Sequence, residues 1–133
     1  MKQRELEELM HEIASEIRGE GAILDLANNH RVTYVDLWFV DDAGHTTYGE
    51  LFHAGRHGDD KEGKYPNATA EEAAEAVVKL LEASRDWPSF ARQHNLHDIY
   101  VTVQKGVDKV RKYLHHAVKG GGGIIPEDPL IVF

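Results

Sequence analysis

Leu6, Leu9, Met10, Ile13 and Ile17 recur at spacings of three and four, with Glu5, Glu8, Glu12 and Glu16 among them. That period sets one apolar stripe against an acidic one and predicts an amphipathic helix over residues 2–18. Gly19 and Gly21 follow, suited to the left-handed backbone that ends a helix. Residues 22–27 predict a first strand, and Asn28, Asn29 and His30 supply turn chemistry after it.

The period then shortens. Val32 to Val40 is rich in β-branched and aromatic residues, and Asp42, Ala43 and Gly44 separate it from a second such run, Thr46 to His53. A three-residue loop with glycine in its left-handed position predicts a hairpin. With Asp41 opposite His45, Leu37 falls opposite Gly49 and Val35 opposite Leu51. On the other face Trp38 meets Tyr48, Asp36 meets Glu50 and Tyr34 meets Phe52.

Residues 54–68, with three glycines and the run Asp59 to Glu62, predict a long polar loop. Thr69 and Glu72 form a capping box ahead of Ala73, Val77, Leu80 and Leu81, the stripe of a further helix. Pro88 opens a short helix to about His94, and Ile99, Val101 and Val103 alternate as a strand. Val107, Val110, Leu114, Ala117 and Val118 suggest a last helix, which the glycines at 120–123 release. The apolar segment Ile124–Phe133 is expected to return as an edge strand, or to be exchanged with a second copy in a homodimer.

These elements predict an α+β domain spanning residues 1–133. Its single antiparallel-rich sheet has about five strands, with the N-terminal helix and two or three others mainly on one face. Pairing of an N-terminal amphipathic helix with an aromatic-rich antiparallel sheet resembles small acidic bacterial immunity proteins and antitoxins. No motif carries that resemblance, and nothing is taken over from it.

Charge and composition narrow the chemistry. The chain has 133 residues and a net charge of −8, which disfavours nucleic acid and suits a basic protein partner. A basic stretch, Lys105, Lys109, Arg111, Lys112 and Lys119, stands against only Asp108 and reads as a solvated helix face. The absence of cysteine excludes disulfides, thiolate catalysis and cysteine-ligated metals. The charged start, Met1 to Glu5, and the lack of any long apolar run predict a cytoplasmic protein without a membrane span.

The hairpin face carrying Tyr34, Asp36, Trp38, Tyr48, Glu50 and Phe52 is the candidate binding surface. Opposed carboxylates destabilise a sheet unless a cation, a shared proton or a partner offsets them. Aromatic rings around paired acids suit a lysine or arginine side chain. Alternatively, Asp36 or Glu50 acts as a general base, with His53 or Tyr34 as polarising partner, in a cofactor-independent isomerase or hydrolase. An internal arginine, Arg31 or Arg56, would make the pair merely structural. The nine histidines lack metal-ligand spacing: Gly55 breaks any helix joining His53 to His57, and on a helix His115 and His116 point about 100° apart, so no metal or cofactor is expected.

Overall fold

The computed structural model describes residues 2–57 and 63–117. Helices α1 (Gln3–Glu20) and α2 (Ala22–His30) precede strands β1 (Tyr34–Asp41) and β2 (Thr46–His53). The start of the segment expected as loop is instead a single helical turn, α3 (Ala54–His57), which Gly55 does not break; α4 (Ala70–Ser84), α5 (Trp87–His94), β3 (Leu96–Lys105) and β4 (Asp108–His116) come after it. The strands form one antiparallel sheet in the order β2-β1-β3-β4. The fold class is therefore α+β, with the amphipathic helix α1 on the sheet.

The alternation of the strands decides the layers. Val35, Leu37 and Phe39 of β1 and Ile99, Val101 and Val103 of β3 join Leu6, Met10, Ile13, Val77, Leu81 and Trp87 from the helices in one core. Helix α1 packs closest on β2 because Gly49 has no side chain: a Cβ there would stand 2.7 Å from Met10 Sδ and 2.8 Å from Ala14 Cβ. Intervening strand residues point away from the helices, and among the described residues no helix covers them.

Local chemistry accounts for the helix ends. Thr69 and Glu72 make the expected capping box on α4, and Asp86 caps α5 ahead of Pro88. Gly21, with φ of +82°, ends α1 and begins α2. Residues 22–27 are thus helical rather than a strand, because Ile23 and Ala27, a helical turn apart, both reach the core. The asparagines expected in a turn fill the last turn of α2, which Arg31 closes in the left-handed region at φ of +56°.

The C-terminal basic stretch is also not a helix. Lys105 pairs with Asp108 across a two-residue turn, Gly106 and Val107, and β4 runs back along β3. Gly106 takes φ of +61°, and glycine first in a two-residue hairpin loop is a type II′ preference. The former "helix face" is split as a result. Lys109 and Arg111 point to the uncovered face opposite Gln104 and Thr102, while Lys112 pairs with Glu71 of α4. The Lys105 ammonium donates to the carbonyls of His30, Pro66 and Ala68, and burial lowers its proton affinity. It ties α2 to the segment leading into α4. Lys119, the 120–123 glycines and Ile124–Phe133 lie outside the described residues, as do residues 58–62 of the expected loop.

The first hairpin turns as expected, with the Asp41 amide donating to the His45 carbonyl and Gly44 at φ of +92°. Leu37 faces Gly49, Trp38 faces Tyr48 and Asp36 faces Glu50. Beyond Asp36 the register slips by one residue: Val35 faces Phe52 and Tyr34 faces His53. Leu51 is the extra residue of this bulge. Phe52 accordingly enters the core at 1% exposure and leaves the candidate surface.

Candidate functional site

The uncovered face is a grid of side chains, one row per paired position. Its central row is aromatic and crosses all four strands: Tyr48 on β2, Trp38 on β1, Tyr100 on β3 and Tyr113 on β4. Tyr48 and Tyr100 stack on opposite sides of Trp38, with centroids 5.0 and 5.7 Å away, and Tyr113 lies 5.3 Å beyond Tyr100. The indole of Trp38 donates to Thr102 Oγ1 at 2.9 Å, which fixes its plane. Tyr48 and Tyr113, at the ends of the row, are 55% and 42% exposed. Arg111 lays its guanidinium 4.4 Å from the centre of the Tyr100 ring.

The next row holds Glu50, Asp36, Thr102 and Arg111. The bulge at Leu51 turns His53 to this side, where its ring sits between the two acids. Nε2 lies 3.0 Å from Asp36 Oδ1, and Nδ1 lies 3.3 Å from Glu50 Oε1. A neutral imidazole has one N–H, so both contacts are hydrogen bonds only when the ring or a carboxyl carries a second proton. Burial raises the Asp36 carboxyl above its ordinary 3.8, against the pull of His53 and with a smaller push from Glu50. Tyr34 meets the His53 ring edge-on, with centroids 4.8 Å apart.

Tyr34, Asp36, Glu50 and His53 are thus brought together, with Trp38 and Tyr48 in the adjoining row, whereas Phe52 is not among them. The side chain set between the two acids is a histidine from the same hairpin. Along the outer edge of β2, a groove of 460 Å³ runs against α1 and is lined by His11, Arg18, Tyr48, Glu50 and His53. Arg18 also donates to the Glu50 carbonyl and to Ser15 Oγ, anchoring α1 beside the site.

Three members of the face, Tyr100, Arg111 and Tyr113, were not singled out from the sequence. Tyr100 and Thr102 alternate with Ile99, Val101 and Val103, so the far face of β3 was there to be read. Arg111 and Tyr113 were hidden by the helical period of the valines, although Gly106 signals the hairpin. At the far end of the face stand His97, Asp98 and His116, whose nitrogen and oxygen atoms lie within 4.8 Å of one another. The two imidazoles beside Asp98 come from a strand bulge and a second strand, and His115, paired with Ile99, is not one of them.

Comparison with protein-family models, curated proteins and solved structures returned no match. No helix is long and apolar enough to cross a membrane among the described residues.

Proposed function

We propose that this chain is a protein-binding module, akin in role to immunity proteins and antitoxins, whose open sheet face docks a basic segment of a partner. The observation that carries this reading is the aromatic row, with its end rings Tyr48 and Tyr113 exposed and Tyr100 buried between its neighbours, and with carboxylates beside it. Stacked rings offer large area at little cost in side-chain entropy, and aromatic residues are the usual anchors of an interface. Arg111 on Tyr100 supplies an internal example of a guanidinium on this row. A partner's arginine laid on Tyr48 would reach the carboxylate of Glu50 in the neighbouring row.

The test is an NMR titration with an oligoarginine peptide, compared with an oligoglutamate peptide of the same length. Trp38 and Trp87 report separately through their indole N–H signals, one on the face and one in the core. Oligoarginine is expected to shift Trp38 and spare Trp87, and Tyr48→Ala to weaken it about tenfold, the order of one good interface residue. Equal response to oligoglutamate, or none to oligoarginine, would overturn the reading.

A second reading rests on His53 held between two carboxylates, with Glu50 and His53 lining the groove. Acids pushed apart in proton affinity can serve as general acid and base in a cofactor-independent isomerase or hydrolase. It requires one carboxyl to remain protonated well above the ordinary range. A carbon-13 titration finding both Asp36 and Glu50 ordinary would dispose of it.

A further inference from the structure

We propose that His97, Asp98 and His116 bind a divalent transition metal ion, zinc by its donor set, at the end of the open face beyond Tyr113. Both imidazoles turn Nδ1 toward the same atom, Asp98 Oδ1, at 3.0 Å from His97 and 2.5 Å from His116. The contrast with His53 is instructive: it offers a different nitrogen to each of its acids, so those donors cannot enclose one ion. At Asp98 the donors converge. Three ligands of a tetrahedral zinc, each at about 2.0–2.1 Å, stand about 3.3 Å apart. Each imidazole-to-Asp98 contact, now 3.0 or 2.5 Å, would open by less than about an ångström to reach that spacing.

Two bulges create this convergence. In the β1–β3 ladder Val40 faces Asp98 but Asp41 faces Leu96, so His97 is an extra residue beside Asp98. In the β3–β4 ladder Tyr100 faces Tyr113 but Ile99 faces His115, so Leu114 is extra. Without that second insertion His115 would stand opposite Asp98; with it, His116 does. Bulges re-aim side chains in this way, and they are over-represented beside functional sites. The backbone beyond them is pinned, with the Ala117 amide donating to the His97 carbonyl at 2.8 Å.

Neutral imidazole and carboxylate are ordinary zinc ligands, and a set of two histidines and one acid leaves a fourth position open. Asp98 and His97 are largely shielded while the His116 side chain is 52% exposed, which leaves an entry path on its side. The His116 ring also packs 4.8 Å from Tyr113, so the site continues the aromatic row.

The experiment is a calorimetric titration of the untagged full chain with zinc chloride, with visible absorption of added cobalt as a second readout. One equivalent of zinc is expected to bind, and His116→Gln to weaken it about tenfold or more. Asp98→Asn keeps an acceptor for both imidazoles but removes the anionic ligand, so it too is expected to lose affinity. His11→Gln, in the groove along β2, serves as the control and is expected to bind as the parent does. Because His116 lies at an exposed strand end, its replacement should leave the circular dichroism unchanged. Absence of saturable binding, or unchanged affinity in His116→Gln and Asp98→Asn, would overturn the proposal.

Discussion

Asp41 is a buried carboxylate with its partners supplied by one turn. Oδ1 accepts from the amides of Ala43 and His45 at 3.0 and 2.8 Å, and Oδ2 accepts from His45 Nδ1 at 2.9 Å. Burial alone would raise its proton affinity, but the ring and amide of His45 and the amide of Ala43 together outweigh it and hold the carboxyl below 3.8. A depressed value in the folded state means stability that is present above the ordinary value and lost as pH falls through the folded one. Asp41→Ala is expected to cost about 2–3 kcal/mol in a neutral-pH denaturant melt, the order of lost bonds to a charged group. Its deficit against the parent should narrow in acid.

Asp36 has the opposite sign. Its raised folded value gives a contribution fully present below the ordinary 3.8 and lost as pH rises through the folded value, so the charge opposes folding at neutral pH. Asp36→Asn keeps an oxygen to accept from His53 Nε2 and removes the repulsion with Glu50. It is expected to raise the neutral-pH melting temperature, with the gain shrinking as pH falls through the raised folded value and gone below the ordinary 3.8. A lower melting temperature would show that the ion pair with His53 outweighs the burial.

Among the elements, α1 and β2 depend on close approach at one position. Gly49→Ala forces a Cβ against Met10 Sδ, which can give, and against Ala14 Cβ, which cannot. The expected loss is about 1–3 kcal/mol of unfolding free energy, the usual cost of overpacking. The same element pair shows how far periodicity carries. The α1 stripe was legible because five apolar residues repeat on one face over several turns, and the cap of α4 because its chemistry is local. Residues 22–27 and 105–117 were not, since short segments with mixed spacing satisfy either period until a neighbour selects one. For α2 the selector is the core under Ile23 and Ala27; for β4 it is the free edge of β3.

Across the whole molecule, β1 and β3 are bonded on both sides and contribute Val35, Leu37, Phe39, Ile99, Val101 and Val103 to the core. Hydrogen exchange is expected to be slowest in these two strands and faster in β2 and β4, which mass spectrometry of the exchanged chain would read. Equal protection of an edge strand would indicate that something covers it.

The sequence by itself determined the fold class, the hairpin turn at Asp41 to His45 and the opposition of Asp36 to Glu50, because each follows from local period or turn chemistry. The tertiary structure decided the rest of the face. One-residue bulges at Leu51, His97 and Leu114 moved Phe52 into the core, set His53 between the acids and gathered His97 and His116 on Asp98. A side chain's face has a period of two along a strand, so a single inserted residue reverses it, and the insertion is set by how the strands pack rather than by any residue type.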